Sequence, residues 1–311
     1  MKIVIAGGTG FLGSPLAEVY AEEGHDVRVL TRSLKPGESR HDPGTGVPGV
    51  TKVGWAGAAS ESSALAEVIS GADAVVNLAG ESIAEGRWTA ARKQALRDSR
   101  IRSTAALVSA INATAAAPRV FISGSAAGYY GPAGDEVKTE ESPPGQDFLA
   151  QICVDWEAEA KKMQRAETRL VLLRTGLVLE QSGGPLAKML RPFRMFVGGP
   201  VGSGRQYISW IHRIDWLEMV RWIVDTPQAA GPINATAPHP VTSREFARAL
   251  GRALRRPALM PVPGFALKIA FGEMAYVLTT GQRAIPARAK ALKFHFRYPE
   301  IDQAFRGIFA D

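Results

Sequence analysis

A doubly wound, mostly parallel α/β sheet followed by a smaller lobe is the fold this sequence predicts. Three observations carry the prediction. A short apolar strand at the start of the chain runs into a glycine-rich turn and then a helical pattern. Strands rich in β-branched residues then alternate with helical stretches as far as residue 174. After Gly176 that rhythm stops and glycine-rich segments take over. Strands and helices alternating at this spacing bury a parallel sheet between two helical layers.

Lys2–Ala6 (KIVIA) is the first strand, Gly7–Gly13 (GGTGFLG) the turn, and Phe11–Glu23 a helix ended by Gly24. Asp26–Thr31 (DVRVLT) is the second strand. Ser33–Gly57 is rich in Gly and Pro and reads as loop, with one weak strand near Val50–Val53. Asp73–Leu78 is a buried strand, Trp88–Ala116 a long Ala-rich helix stopped by Pro118, and Arg119–Ser123 the next strand. Asp147–Arg165 is a helix leading to the strand Arg169–Arg174. Gly183–Gly204 reads as a glycine-rich segment, Gln206–Ile211 as strand-like, and Ser243–Arg256 as a helix capped by Ser243. Gly264–Thr280 is too short and too charged to span a bilayer and reads as an amphipathic helix. Residues 1–178, with a later strand returning from about 206–236, form the expected nucleotide-binding domain. Residues 179–311 form the smaller substrate lobe and a basic C-terminal region.

The 311 residues carry a net charge of +7, with 46% hydrophobic and 22% charged residues, which excludes a disordered chain, a collagen and a small disulfide scaffold. Residues 241–311 hold twelve Lys/Arg and five acids, so the whole excess belongs to the last quarter. Such a quarter suits substrate steering or a partner surface. It lacks interleaved aromatics and helix-turn-helix signatures, so no nucleic-acid partner is expected, and no membrane partner either. The single cysteine, Cys153, excludes an intrachain disulfide. With the first strand starting at Lys2, a cytoplasmic protein is expected. The five histidines show no metal-ligand spacing, so no metal is expected.

Gly7, Gly10 and Gly13 sit between a strand and a helix. The first permits a tight turn, the second lets a pyrophosphate approach the backbone, and the third lets the helix pack closely on the sheet. This is the dinucleotide fingerprint of a Rossmann-type sheet. NAD binders usually place an acid at the end of the second strand to hold the ribose hydroxyls. Here the strand ends in Thr31, Arg32 and Ser33. A guanidinium fork and a hydroxyl suit a 2′-phosphate, so the expected cofactor is NADP(H). The expected cofactor contacts are Gly7, Thr9, Gly10, Phe11, Leu12, Gly13, Thr31, Arg32, Ser33, Leu78, Ala79, Gly80, Glu81, Arg100, Leu177 and Val178.

With GGTGFLG stand LTRS, NLAGESIAEGRW, SRIRST, SAAGYYG, LLRTGLVL, GGPVGSGRQ, SWIH, NATAPHPV, RRPALMPVP, GQRAIP and KFHFRYP, in order along nearly the whole chain. Together they resemble the atypical, extended short-chain dehydrogenase/reductases called sugar-nucleotide-epimerase-like, which carry a characteristic C-terminal region. The resemblance implies an NADP-binding Rossmann protein and a small-molecule substrate. In the extended enzymes the region holding Lys188, Arg191, Arg194 and Arg205 binds nucleotide-sugar diphosphates, which points to an anionic substrate.

The departures from that pattern matter more. Working reductases use a Tyr-x-x-x-Lys pair, the Tyr as acid/base and the Lys lowering its pKa. Aligned through Trp156 and Glu157, those positions hold Leu149 and Cys153, and a one-residue shift gives Phe148 and Ile152. The Asn of the preceding helix falls near Arg100, and only the Ser survives, as Ser125. The replacement acid/base candidates are Ser125 and Tyr129, with Tyr130 beside it; His212 and Asp215 read as structural. Two functions stay open. One is an oxidoreductase or epimerase on a small, anionic substrate. The other is a non-catalytic NADP(H)-binding regulator or redox sensor.

Overall fold

The computed structural model describes residues 1–41, 49–57 and 62–310. The first half runs β1 (Lys2–Ala6), α1 (Gly13–Glu22), β2 (Asp26–Thr31), β3 (Ser39–His41), β4 (Val50–Gly54), α2 (Ser62–Ile69), β5 (Ala74–Asn77), α3 (Ala90–Ala113), β6 (Val120–Ala126), β7 (Val137–Lys138), α4 (Phe148–Ala160) and β8 (Arg169–Thr175). The second half runs β9 (Leu177–Leu179), α5 (Gly184–Arg194), β10 (Tyr207–Ile208), β11 (Trp210–His212), α6 (Arg213–Asp225), β12 (Gly231–Ala235), β13 (Val241–Thr242) and α7 (Ser243–Leu254). It closes with α8 (Gly264–Phe271), α9 (Ala275–Thr279), β14 (Arg283–Ala284), α10 (Ala287–Ala291) and α11 (Ile301–Phe309).

The main sheet has the order β12-β8-β6-β5-β1-β2-β4-β3, parallel except for the β3–β4 edge. Alternation along each strand feeds two cores. Ile3, Ile5, Val76, Ile122 and Leu173 face α1 and α6, where Leu16, Tyr20, Trp216 and Val220 are buried. Val4, Val75, Phe121 and Leu172 face α2 and α3, where Leu65, Ile69, Leu107 and Ile111 are buried. Strands buried on both faces read as continuous apolar runs, which is why the sequence exposes them.

A third core gathers Leu186, Leu190 and Phe193 of α5, Phe246 and Leu250 of α7, and Phe305 and Ile308 of α11. This is the smaller lobe. It is tied to the main sheet through Asp215 on α6, whose carboxylate accepts from the backbone N–H groups of Arg297 (2.7 Å) and Tyr298 (3.0 Å). His212 caps α6 by accepting from Ile214 N–H (3.1 Å) and stacks on Tyr298, centroids 4.0 Å apart.

Several elements correct the sequence expectation. In the Ser33–Gly57 segment β4 forms where the weak strand near Val50–Val53 was expected, and β3 is added to it at the sheet edge; residues 42–48 lie outside the described residues. The Trp88–Ala116 helix is α3, capped by Thr89, and the Asp147–Arg165 helix stops at Ala160, with Asp147 capping it. Gly183–Gly204, read only as glycine-rich, contains α5, which Pro185 opens. Gln206–Ile211 splits into β10 and β11, which pair with β13 and β9. Thr242, not Ser243, caps α7. Its hydroxyl accepts from Glu245 N–H (3.3 Å), and the Glu245 carboxylate accepts from Thr242 N–H (2.7 Å). Gly264–Thr280 is not one helix: Gly272, at φ +62°, ends α8 before α9 begins.

Candidate functional site

Parallel register brings three strand exits together at one edge of the sheet. Ala6 sits opposite Leu30 on one side and Asn77 on the other. The residues that follow (Gly7, Thr31 and Leu78) therefore stand side by side, where open α/β sheets bind ligands.

Gly7 adopts φ +77°, and a Cβ there would lie 2.7 Å from the Leu78 carbonyl carbon. A Cβ on Gly13 would lie 2.6 Å from Gly8 Cα. At Gly10 such a Cβ would make one tight contact, 3.2 Å to the Gly7 carbonyl oxygen of the turn itself, and no other described element comes within 4 Å to cover this face. Helix α1 then starts without a side-chain cap and without an acid in its first turn. Ser14 and Leu16 N–H already donate to the carbonyls of Gly10 (3.0 Å) and Leu12 (3.3 Å), and Pro15 has no N–H, so what this start offers an anion is the positive dipole end of the helix. Arg32 and Ser33 are exposed at the end of β2, and Ser33 Oγ lies 3.0 Å from Thr31 Oγ1. Among the described residues Arg32 has no hydrogen-bond or ion-pair partner. These residues fit a dinucleotide: an open glycine cradle, an uncapped helix start and a free guanidinium. Phe11 supports the cradle from the smaller lobe's side, its ring packed against Gly183 and Gly184. Leu12 and Phe11 also pack on the core containing Val178 of β9, beside Leu177.

The 77–81 exit is held rigidly. Asn77, fully buried, accepts from Ala79 N–H (3.2 Å) and donates to Thr104 Oγ1 (2.9 Å). That hydroxyl also accepts from Trp156 Nε1 (2.8 Å) and donates to the Arg100 carbonyl (2.7 Å). Arg100 reaches back under Gly80, donating to the carbonyls of Glu81 (3.0 Å) and Leu96 (2.9 Å). Its guanidinium lies 5.3 Å from the Trp156 ring centroid, and burial pulls its pKa down. Arg100 thus props the exit loop. Glu81 is ion-paired with Arg92, which also donates to the Ser82 carbonyl (2.7 Å).

Ser125 leads into a buried network that the sequence reading missed. Its hydroxyl donates to Glu157 Oε1 (2.8 Å). Glu157 is bound by both Nε (2.8 Å) and Nη2 (2.9 Å) of Arg174, with both side chains nearly inaccessible. Arg174 Nη1 also donates to Tyr130 Oη (3.0 Å), which donates to Asn234 Oδ1 (2.7 Å). The Arg174 guanidinium lies 3.5 Å from the Tyr129 ring centroid. Tyr129 is half-buried on the turn after β6, edge-on to Tyr130. Burial pushes the Tyr130 phenol up to about 12, so it holds its proton. Leu149, Cys153 and Glu157 are spaced by four along α4 and share one face. That spacing was the available signal for Glu157. The Cys153 thiol is buried, and desolvation, reinforced by Glu157, pushes it up to about 12. It is neutral and supplies no cation where working reductases keep a lysine. Lys188 donates to the Ala84 carbonyl (3.2 Å), while Arg191, Arg194 and Arg205 are exposed.

The glycine cradle at the switch of a doubly wound sheet defines a dinucleotide-binding protein of Rossmann type. Residues 3–235 match the NAD dependent epimerase/dehydratase family, and the chain belongs to it. Residues 262–308 match a domain of unknown function, DUF1731. The chain is 41% identical over 310 residues to the chloroplastic epimerase family protein SDR39U1 homolog of Arabidopsis thaliana, covering 99% of this chain and 86% of that one. It is 36% identical over 312 residues to epimerase family protein YfhF of Bacillus subtilis, covering 100% and 99%. The crystal structure of human epimerase family protein SDR39U1 with NADPH superposes with a TM-score of 0.86 at 31% identity, covering both chains fully. UDP-N-acetylglucosamine 4-epimerase from Bacillus cereus shares the fold, with a TM-score of 0.74 at 18% identity and coverage of 100% and 98%.

Proposed function

We propose that this protein is an NADP(H)-dependent oxidoreductase or epimerase acting on a small hydroxyl- or carbonyl-bearing substrate. The observation that carries this reading is the unpaired Arg32, beside Ser33, at the end of β2 and next to the open glycine turn. A guanidinium there suits a 2′-phosphate, and among the described residues no acid pairs with it. The human relative with bound NADPH supports the same choice. The glycine-turn amides and the start of α1 would hold the pyrophosphate, and Leu78–Gly80, propped by Arg100, would wall the site. The nicotinamide, when bound, supplies or accepts a hydride. Ser125 has committed its one proton to Glu157, so it meets a ligand as an acceptor. It therefore orients a substrate hydroxyl rather than protonating a carbonyl.

A second reading, a non-catalytic NADP(H)-binding regulator, draws on one specific observation: Leu149 and the neutral Cys153 occupy the acid/base positions. Purified protein given NADPH and a panel of quinones, aldehydes and nucleotide sugars separates the two. Sustained cofactor oxidation with at least one member of the panel is the expected result. Tight NADPH binding with no turnover across the panel overturns the enzymatic reading in favour of the regulator.

A further inference from the structure

The basic C-terminal quarter and the RRPALMPVP motif play no part in the nucleotide site. Their placement gives them another role. Leu259 of that motif is 82% exposed and Met260 56%. Phe265 and Ile269, one turn apart on α8, are each 71% exposed while Leu267 points inward. Beside them the turn after α5 exposes Met195 and Phe196. The 195–201 segment and the RRPALMPVP segment adjoin, and α8 follows directly from the latter after Pro263. Val201 bridges Val262, Val262 N–H donates to the Pro200 carbonyl (2.9 Å), and Gly199 abuts Met260.

Two further observations show that this face is built. Phe196 sits at φ +63°, a backbone region that costs a bulky residue energy, yet its ring is held outward under the Arg256 guanidinium, 4.5 Å from its centroid. Cations surround the apolar tips. Arg191 and Arg194 flank the 195–196 turn, Lys268 lies on α8, and Arg248, Arg255 and Arg256 line a shallow cavity of about 360 Å³ with Arg252 and Leu259. Of the acids near this face, Glu273 pairs with Lys93 and Asp302 with Arg252, while Glu245, three residues before Arg248, caps α7 through Thr242. The face thus presents projecting apolar side chains beside an excess of positive charge.

We propose that this face docks on an anionic lipid bilayer. Leu259, Met260, Phe265 and Ile269 enter the boundary between headgroups and acyl chains, and Arg248, Arg255, Arg256 and Lys268 meet the lipid phosphates. Apolar projections flanked by Lys and Arg are the chemistry of peripheral membrane binding, and each cation near an anionic surface strengthens it. No membrane partner was expected from the sequence, because no segment is fit to span a bilayer. Surface docking needs none, and no helix among the described residues is long and apolar enough to cross a membrane. The inference stands apart from the nucleotide chemistry.

Flotation of the full chain with phosphatidylcholine vesicles, and with vesicles in which a third of the lipid is phosphatidylglycerol, tests it. The expected result is partition to the anionic vesicles at least tenfold stronger than to neutral ones, weakened by added salt. Phe265→Asp with Ile269→Asp, and separately Arg255→Glu with Arg256→Glu, should each cut it about tenfold. All four side chains are exposed, so NADPH affinity and the unfolding midpoint stay unchanged. Failure of the full chain to float with anionic vesicles overturns the proposal, as does equal binding to both vesicle types. Concentration-dependent dimerisation abolished by Phe265→Asp, without flotation, also overturns it and gives the face to a second copy.

Discussion

Gly7 and Arg32 hold the cofactor reading between them, one by what it lacks and the other by what it leaves free. A Cβ at Gly7 would meet both an unfavourable φ of +77° and the Leu78 carbonyl. Gly7→Ala is expected to cost about 2 kcal/mol or more, measured by urea denaturation, and to abolish NADPH binding. Both residues were legible in the sequence because a turn and a strand end are local features. The role of Glu157 was not. A buried glutamate is stable only against Arg174 from a strand 17 residues later, and nothing in α4 alone announces that partner. Glu157→Leu leaves Arg174 buried and unpaired, at an expected cost of about 3–5 kcal/mol, and Glu157→Leu with Arg174→Met should recover much of it. A double-mutant cycle in urea checks both values. Ser125 and Tyr129 stood in the sequence as acid/base candidates, but that one bonds Glu157 and the other stacks on Arg174 of the same buried pair is a tertiary fact.

At the scale of elements, the apolar strands and the long α3 followed from hydrophobic pattern. The short elements did not. α2 has eight residues, α5 contains Pro192, and α8 and α9 differ from one continuous helix only by Gly272. Their formation rests on the surfaces they cover, not on propensity. Helix α6 shows how such packing couples to pH. Burial lowers the His212 pKa to about 4 from its ordinary 6.5. The folded protein keeps it neutral, while the unfolded chain takes up a proton below about pH 6.5. Its contribution is therefore whole above that pH and is lost as pH falls towards 4. His212→Asn, which retains a side chain able to cap α6, should lose on the order of 2 kcal/mol less stability than wild type between pH 7 and 4. Denaturation midpoints across that range measure the difference. Asp215, one turn on and raised by burial, shifts the balance the other way and is common to both proteins.

The whole molecule divides its tasks by charge. The proposed nucleotide edge offers backbone amides and Arg32, which has no partner among the described residues, within the first 240 residues, which carry no net charge. The +7 lies in the quarter that builds the smaller lobe, where Asp215 clasps the 297–298 backbone and cations ring an apolar face. The sequence located that charge but could not show that exposed apolar side chains stand among it, because exposure depends on which faces of α8 and its neighbours the lobe covers. The central claim remains the cofactor. Titration of the purified protein with NADPH and NADH, followed by reduced-nicotinamide fluorescence, tests it most directly. NADPH should bind about 10- to 100-fold tighter, the range of a charge-assisted hydrogen-bond pair, and Arg32→Ala should erase the difference while leaving NADH unchanged. Equal affinity for the two cofactors, or an unaltered preference in Arg32→Ala, would contradict it.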